Sequence, residues 1–361
     1  MVPVKPRSAF WSGRRVLLTG HTGFKGAWLG AWLAGMGARV TGVALAPETS
    51  PNLFDLAGLS SSVDSRIRDI RDLEAMQGIF RAAQPEVVFH LAAQALVRRS
   101  YAEPVATYAT NLMGTVNVLE AARATDSVRA VVNVTSDKCY ENLETRHAYR
   151  EGDAMGGHDP YSSSKGAAEL ITSAYRRSFY TGQSKLLASA RAGNVIGGGD
   201  WSEDRLIPDC VRAFSVGAAL VVRNPLATRP WQHVLEPLSG YLMLAEQLAS
   251  GDAAAAGGWN FGPDDAETAS VERVVNEVVK LWGGDARWRQ DESAQPHEAH
   301  LLQLDASKAR RELGWCPRLD LGETLRWTIE WYRELAAGRG ARGLLETQIA
   351  QYEAIRQKAA A

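Results

Sequence analysis

The sequence predicts an α/β protein with a Rossmann-type, doubly wound parallel sheet and a smaller, mostly C-terminal domain. Three observations support this fold class. Short apolar runs alternate with longer helical patterns through the first half of the chain, these runs are rich in valine and leucine along their length, and glycines follow the first of them. Runs that are apolar throughout indicate strands covered on both faces, as in a parallel sheet flanked by helices.

The elements can be assigned in chain order. We predict strands at RRVLLTG, RVTGVAL, EVVFHLAA, RAVVNVTS and KLLASARAG. Between them we predict helices at AWLGAWLAGMGA, RDLEAMQGIFRAAQ, YATNLMGTVNVLEAARATD and DPYSSSKGAAELITSAYRRSFY. Strands that alternate with helices in this way build a parallel sheet with helices on both faces.

The alternation of strands and helices becomes irregular after the segment GNVIGGGDWSEDR, where prolines interrupt short elements. We therefore place one domain at residues 1–193 and a second, discontinuous domain at residues 194–361. Part of residues 233–260 is expected to pack back on the sheet of the first domain.

Composition restricts the function classes. The 361 residues carry a formal net charge of −1, so no field of one sign points to nucleic acid or to an anionic membrane. The N-terminus lacks the apolar core of a signal peptide, and the apolar run at 26–38 is too short to span a membrane. Cys139, Cys210 and Cys316 stand far apart, which argues against a disulfide framework or a zinc site. We therefore expect a cytoplasmic protein without a metal, nucleic-acid or membrane partner.

The glycine-rich turn TGHTGFKG places Gly20, Gly23 and Gly26 between the first strand and the first helix. Glycines there allow a tight turn and a close approach of the backbone to a pyrophosphate, which the N-terminus of the helix can bind. The context predicts dinucleotide binding rather than a purely structural turn. The spacing differs from the G-x-G-x-x-G of ordinary dehydrogenases.

The choice between NAD and NADP depends on the segment after the second strand. NADP sites place an arginine there, but none occurs between Arg39 and Arg66. NAD sites place an acid at the strand end, but the first acid is the distant Glu48. The missing cation favours NAD, and the missing acid weakens that inference.

Two further motifs suggest proton transfer. In YSSSK, Tyr161 and Lys165 are four apart at a helix start, so the ammonium is expected to lower the phenol pKa from about 10 toward neutrality. In TSDKCYE, Ser136, Asp137 and Lys138 follow a buried strand. Asp137 and Lys138 could form a surface ion pair, or they could be proton-transfer groups that point into a site.

Together these motifs resemble the extended short-chain dehydrogenase/reductase superfamily, whose members rework nucleotide sugars. The resemblance also rests on HLAAQ, on Asn111 in TNLMGT and on RAGNVIGGGDW, and it covers nearly the whole chain. It implies a bound dinucleotide, a nucleotide-sugar domain at 194–361, and a homodimer or homotetramer. The residues that it implies for the cofactor, NAD, are Gly20, Gly23, Phe24, Gly26, Asp69, Ile70, Leu91, Ala92, Ala93, Tyr161 and Lys165.

Within that superfamily the chain resembles the sugar-nucleotide 4,6-dehydratases more than the 4-epimerases, because an acid follows the hydroxyl residue Ser136. The pair Asp137-Lys138 and the segment RPWQHVLEPLSGYL resemble the branch that acts on CDP-glucose and yields CDP-4-keto-6-deoxy-D-glucose and water. That branch implies deoxysugar biosynthesis for lipopolysaccharide O-antigen. A 4-epimerase or other sugar-nucleotide oxidoreductase, and a non-catalytic dinucleotide-binding protein, are the alternatives.

The resemblance also implies roles for the reacting residues. Tyr161 would take the proton of the 4-hydroxyl, Lys165 would hold the ribose, and Ser136 would bond the C4 oxygen. Asp137 would protonate the departing C6 hydroxyl. Lys138 would either take the C5 proton as a neutral amine or stabilise the enolate as a cation.

A nucleotide sugar carries a diphosphate, which arginines and amides would bind. The resemblance implies Asn194, Arg205, Arg229 and His233 for the substrate, with Glu298 on a ribose. We expect Arg229 in a loop, where a plain surface arginine is the alternative. For Glu298 the alternative is a plain loop.

Overall fold

The computed structural model describes residues 8–182, 184–263, 268–291, 293 and 301–355. Its strands are β1 (Arg15–Thr19), β2 (Arg39–Ala44), β3 (Asp64–Ile67), β4 (Val87–His90), β5 (Ala130–Val134), β6 (Ala148–Tyr149), β7 (Leu186–Ala192), β8 (Asn194–Ile196), β9 (Leu220–Val222), β10 (Thr228–His233), β11 (Gly258–Phe261), β12 (Thr268–Ser270), β13 (Trp288–Gln290) and β14 (Gln303–Leu304).

Its helices are α1 (Ser8–Trp11), α2 (Phe24–Gly35), α3 (Leu53–Leu56), α4 (Leu73–Ala83), α5 (Val97–Ala102), α6 (Pro104–Tyr108), α7 (Gly114–Arg123), α8 (Pro160–Ser178), α9 (Leu206–Ser215), α10 (Leu235–Ala249), α11 (Val271–Trp282), α12 (Leu321–Ala336) and α13 (Ala341–Ala354). A π-helical segment joins α6 to α7 at Ala109–Met113, and a 3₁₀ turn follows β5 at Asp137–Cys139. None of the described helices is both long and apolar enough to cross a membrane.

Seven strands form one parallel sheet in the order β3-β2-β1-β4-β5-β7-β11. Both faces of this sheet are covered, because alternate residues of β1 pack into two different cores. Val16 and Leu18 join the larger core with α2 and α10, whereas Leu17 joins the smaller core with α4 and α7. The predicted α/β class and the doubly wound parallel sheet are confirmed.

The strand order reverses between β1 and β4. From β1 the chain builds outward to β2 and β3, then returns to add β4 and the later strands on the other side. Ligands of such sheets bind in the crevice at the carboxyl ends of the strands, next to this reversal. The glycine turn after β1 therefore lies at the expected place.

The second half of the chain contributes both to the large sheet and to smaller ones. β11 pairs with β7 in the large sheet, and α10 packs on β5 and β7. β8, β10 and β12 form a separate three-stranded sheet, in which Asn194 lies opposite Trp231. This small sheet begins two residues after β7 ends, so it stands beside the crevice.

Local sequence explains where the helix that carries the tyrosine begins. The Asp159 side chain accepts a hydrogen bond from the Ser162 N–H, and Pro160 occupies the first helical position. An aspartate cap followed by proline is a strong start signal. It fixes Tyr161 in the first turn of α8, close to the ends of the strands.

The helix predicted from YATNLMGTVNVLEAARATD is not regular. Tyr108 ends α6, the residues Ala109–Met113 are π-helical, and regular α-helix resumes at Gly114. The Asn111 side chain in this segment bonds the backbone of Gln94, which accounts for the irregular turn. Such bulges often occur at functional sites.

Candidate active site

The site is built where β1, β4 and β5 end and α8 begins. Each of these strands is followed by a loop that carries residues singled out from the sequence, and parallel strands bring those loops to one edge. Hydrogen bonds between the loops then fix their relative positions.

The glycine turn has the shape of a phosphate cradle. Gly20 has φ +78°, and a Cβ there would lie 2.8 Å from the Ala92 nitrogen. A Cβ on Gly26 would lie 2.0 Å from the Gly20 carbonyl oxygen, so both positions require glycine. Gly23 precedes α2 without a side-chain cap, which leaves the N–H groups of the first helical turn open to an anion. The residues present therefore fit a dinucleotide.

The loop after β4 is held against the turn by a threonine that sequence reasoning missed. The N–H groups of Leu91 and Ala92 each donate to Thr19 Oγ1 at 3.1 Å. The same hydroxyl hydrogen-bonds with His90 Nδ1 at 2.7 Å, and His90 Nε2 reaches Thr115 on α7. Burial lowers the pKa of His90 to about 3, so the ring is neutral and serves as a structural link.

Asn111 connects this loop to the helix of the tyrosine. Its Oδ1 accepts from the Gln94 N–H at 2.9 Å, and its Nδ2 donates to Ser164 Oγ at 2.8 Å. Ser164 lies directly before Lys165, so the position of the lysine is tied to the loop after β4. Ala93, which precedes Gln94 in the loop after β4, is half-buried.

The turn after β5 contains an unsatisfied carboxylate oxygen. Ser136 Oγ donates to Asp137 Oδ1 at 3.0 Å, and the Lys138 N–H donates to Ser136 Oγ at 3.2 Å. Asp137 is only 2% exposed, and its Oδ2 has no hydrogen-bond partner within the described part of the chain. A Cβ on Gly193 would lie 3.2 Å from that oxygen, so glycine leaves space in front of it. Buried polar atoms are rarely left unpaired, so this oxygen is available to bond a water molecule or a ligand in that space.

The surface ion pair considered for this turn is wrong. Asp137 is buried and Lys138 is half-buried, and among the described residues no salt bridge within 4.0 Å joins them. The two charged groups are therefore separately available to a ligand.

Tyr161 differs from expectation in its electrostatics. Burial raises its pKa to about 12, with Asp137 adding to the rise, whereas a hydrogen bond with Ser136 and the charge of Arg205 favour the phenolate. The predicted lowering toward neutrality by Lys165 is therefore wrong for this structure, because desolvation outweighs the lowering effects of Ser136 and Arg205.

Lys165 is itself changed by burial. Its Nζ donates to the Val134 carbonyl at 3.5 Å, at the end of β5. Burial lowers the lysine pKa to about 8, against a raising effect from Glu169 and Cys139. Glu169 was not singled out from the sequence, although it lies one helical turn beyond Lys165.

Arg205 and Lys25 bring two more cations to the crevice. Arg205 Nη1 pairs with Asp200 Oδ2 at 2.9 Å, and its charge acts on Tyr161. Lys25, in the glycine turn, was also missed from the sequence. Its pKa falls to about 7, first through burial and then through Arg205, while Asp137 opposes the change. A lysine inside a phosphate-binding turn was the signal that could have identified it.

The structure separates the remaining substrate candidates. Arg229 is 4% exposed and lies on β10, where its Nη1 donates to the Thr228 carbonyl, so both the predicted loop and the surface alternative are wrong. Asn194 begins the neighbouring β8, beside the crevice. Glu298 lies outside the described residues.

His233, predicted to bind the substrate, is enclosed in the core, and its Nε2 has no hydrogen-bond partner among the described residues. It has no exposed surface, and its ring makes edge contacts with Trp28 and Trp327. Burial lowers its pKa to about 3. The sequence neighbours of a strand-end histidine do not reveal that two tryptophans enclose it.

Asp69 and Ile70, which the resemblance implies for the cofactor, follow the end of β3. Asp69 pairs with Arg71, and the Asn117 side chain donates to the carbonyls of Ile70 and Arg71. Ile70 also packs against Gly114, where a Cβ would meet its side chain at 2.4 Å. Phe24, at the start of α2, is half-buried and packs against the larger core. The loop after β3 is thus rigidly held, with a half-buried carboxylate at its tip.

Comparison with known proteins gives one family and close relatives. The profile of the GDP-mannose 4,6 dehydratase family matches residues 17–328. CDP-glucose 4,6-dehydratase of Salmonella typhimurium is 51% identical over 348 residues, which are 95% of this chain and 97% of that protein.

Solved structures agree in fold. A dTDP-glucose 4,6-dehydratase from Streptomyces venezuelae, solved with NAD and TYD bound, gives a TM-score of 0.75 at 24% identity over 90% of this chain and 98% of its own. An epimerase from Methanothermobacter thermautotrophicus gives a TM-score of 0.77 at 23% identity, over 94% of this chain and 96% of its own. At these identities the likeness shows the fold alone.

Proposed function

The chain belongs to the GDP-mannose 4,6 dehydratase family of extended short-chain dehydrogenases/reductases, and we propose that it is a lyase that converts CDP-D-glucose to CDP-4-keto-6-deoxy-D-glucose and water. The 51% identity to a CDP-glucose 4,6-dehydratase supports the choice of sugar nucleotide. The observation that carries the chemistry is the buried Asp137, whose Oδ2 lacks a partner beside Ser136 and Tyr161.

Loss of water from glucose needs an acid beside the C6 hydroxyl, because hydroxide is a poor leaving group. Asp137 suits that role, since one oxygen is fixed by Ser136 and the other is free to donate a proton when the carboxyl is protonated. A 4-epimerase, the alternative, has no step that uses such an acid. The unsatisfied oxygen therefore favours dehydration.

Oxidation at C4 makes the neighbouring C5 hydrogen acidic. Tyr161 accepts the 4-hydroxyl proton, and Ser136 orients the C4 oxygen by hydrogen bonding. Because burial raises the phenol pKa to about 12, the hydrogen bond with Ser136 and the charge of Arg205 are needed to favour the phenolate during the step. Lys138, half-buried after Asp137, either takes the C5 proton or stabilises the enolate charge.

NAD is the cofactor that we propose. When bound, it would accept a hydride from C4 and, in its reduced form, return it to C6, so that no net oxidant is consumed. The glycines at 20, 23 and 26, Leu91 to Ala93 and Lys165 would hold it, with Asp69 and Ile70 at the adenine. β2 ends at Ala44, and the later Glu48 pairs with Arg99, so neither an acid nor an arginine stands at that strand end. The related dTDP-glucose 4,6-dehydratase of known structure contains NAD.

The substrate diphosphate is proposed to lie between the two sheets. Arg205 faces the crevice, while Arg229 and Asn194 lie on adjacent strands of the small sheet. Bidentate guanidinium groups are suited to diphosphate oxygens.

We also propose a homodimer formed through the helices around α8. Large apolar side chains are exposed there, among them Val105 on α6 at 82%, Met113 at 54% and Leu170 on α8 at 62%. Exposed apolar surface of this kind is typical of an interface. Sedimentation of the purified chain is expected to give twice the monomer mass, whereas a monomer at micromolar concentration contradicts the proposal.

The proposed activity is tested by incubating the enzyme and NAD with CDP-, dTDP-, UDP- and GDP-glucose in parallel. Mass spectrometry is expected to show loss of one water from CDP-glucose above all, without net formation of NADH. A product of unchanged mass and inverted C4 indicates the epimerase. No reaction with any of the four sugars contradicts both readings.

A further inference from the structure

A buried pair of charges lies behind the reacting residues, and the proposed reaction does not use it. Glu169 on α8 and Arg191 on β7 are each 4% exposed, and Arg191 Nη2 lies 2.7 Å from Glu169 Oε2. Ser189 Oγ donates to the same oxygen at 2.7 Å. Such a pair is costly to bury, and its net contribution to stability is often small.

The second oxygen of Glu169 reaches the strand end that carries the reacting residues. Thr135 Oγ1 donates to Glu169 Oε1 in a short hydrogen bond. The residue before it, Val134, accepts from Lys165 Nζ. Side chains of α8 therefore hydrogen-bond to two consecutive residues of this strand end, directly before Ser136 and Asp137.

Glu169 also supplies a negative charge to Lys165. Burial alone would raise the pKa of the carboxyl, but Arg191 and the hydroxyl donors more than offset this, so the pKa lies below its ordinary value. The ionised carboxylate opposes the lowering of the Lys165 pKa by burial. Lys165 in turn acts on Lys25 of α2 and His90 of β4, and Glu169 acts on Arg176 of α8. Cys139, after β5, interacts with both Lys165 and Glu169.

We infer that Glu169 is a positioning residue for the proposed reaction, on which this inference rests. Through Thr135 it holds the turn of Ser136 and Asp137 at a fixed distance from Tyr161. Through its charge it keeps Lys165 an ammonium ion. Glu169 touches no reacting atom and acts only through these neighbours.

The positional part is tested with two substitutions of Thr135. Thr135→Val removes the hydroxyl that Glu169 holds, whereas Thr135→Ser keeps it. We expect Thr135→Val to lower kcat about tenfold while KM for CDP-glucose stays within about twofold, because a small displacement of reacting groups impairs catalysis more than binding. Thr135→Ser is expected to retain kcat within about twofold. Wild-type kcat in Thr135→Val overturns the positional role.

The charge part is tested with Glu169→Gln, which keeps an acceptor for Thr135 but loses the charge. The measurement is an NMR titration of lysines labelled with ¹³C at Cε, with the Lys165 signal assigned from Lys165→Met. The Lys165 midpoint is expected to fall by about one pH unit, and the alkaline limb of the kcat profile should move with it. An unmoved midpoint overturns the charge role.

These readouts separate a positioning role from a merely structural one. Loss of thermal stability in Glu169→Gln, with the midpoint and the pH profile unchanged, overturns the charge role and leaves the Thr135 pair to decide the positional role. Since Arg191 loses its partner in that variant, the Thr135 pair decides the matter if Glu169→Gln does not fold. If the wild-type chain releases no water from CDP-glucose but the Lys165 midpoint still falls in Glu169→Gln, the proposed function fails and the charge role stands.

Discussion

At the scale of single residues, Asp137 offers the most direct test of the proposed dehydration. We expect Asp137→Asn to lower the rate of water loss at least about 100-fold, because the amide cannot supply the proton. The earlier oxidation at C4 should survive, so reduced nicotinamide is expected to appear transiently in a single turnover. Stopped-flow absorbance and mass spectrometry measure the two events. Water loss at the wild-type rate in this variant would show that the acid is another group.

Lys138 has two proposed roles, removal of the C5 proton as a neutral amine or stabilisation of the enolate as a cation. Lys138→Met removes both a neutral base and a charged stabiliser, and it is expected to slow exchange of the C5 hydrogen with deuterated solvent about 100-fold. Lys138→Glu restores a base and should recover part of the rate if proton removal is the role. Exchange at C5 is followed by NMR of the sugar. Wild-type exchange in Lys138→Met would contradict both roles.

The buried Lys165 predicts a pH dependence of stability. Its pKa falls from 10.5 to about 8 on folding, so between these values the unfolded chain holds a proton that the folded chain releases. Stability from this residue therefore rises with pH across that window, by at most about 1.4 kcal/mol per pH unit. Urea unfolding of the wild type and of Lys165→Met is measured from pH 8 to 10.5. The difference between their free energies of unfolding gives the contribution of Lys165. A difference that does not change with pH would contradict the buried, weakly basic lysine.

The sequence predicts the place of a residue in the site when that place follows from the strand or helix beside it. Gly20, Asp137 and Tyr161 follow strand ends or a helix start, and the fold brings those ends together. His233 also follows a strand end, but its enclosure by tryptophans distant in sequence could not be seen. The effect of burial on Tyr161 was missed for the same reason, since desolvation depends on the whole surroundings.

At the scale of elements, the turn between β1 and α2 depends on glycine for two separable reasons. Gly20 has positive φ and no room for a Cβ, whereas Gly23 has φ −80° and its nearest contact would be 3.4 Å away. We expect Gly20→Ala to lower the free energy of unfolding by about 1–3 kcal/mol. Gly23→Ala should change it by less than about 0.5 kcal/mol and weaken NAD binding instead.

Urea unfolding and NAD titration distinguish the two variants. Gly20→Ala with wild-type stability would contradict the strained turn. Gly23→Ala with wild-type affinity for NAD would mean that the cofactor does not approach the start of α2.

Element prediction succeeded where periodicity was strong and failed where side chains bond to backbone. The strands β1, β2, β4, β5 and β7 were recognised because they are mostly apolar. The polar, largely exposed β3 and the short edge strand β11 were not among the assigned strands. The helix through TNLMGT was also recognised, but its π-helical segment at Ala109–Met113, where Asn111 bonds Gln94, was not. Arg229 was expected in a loop, yet it lies on β10, which also accommodates Pro230.

At the scale of the whole molecule, the doubly wound sheet supplies one place where every reacting group can meet. The order of strands reverses beside β1, and the loops after β1, β4 and β5 converge there with α8. This much follows from the alternation of strands and helices. The small sheet of β8, β10 and β12 does not, because short strands far apart in the chain carry little pattern of their own.

The central claim is that a hydride leaves C4 and returns to C6 of the same sugar, with loss of one water. Its most direct test is conversion of CDP-glucose labelled with deuterium at C4, followed by NMR and mass spectrometry of the product. We predict that deuterium is found at C6 of a 4-keto-6-deoxy sugar and that no NADH accumulates. Deuterium retained at C4 in a sugar that has lost no water would contradict this account.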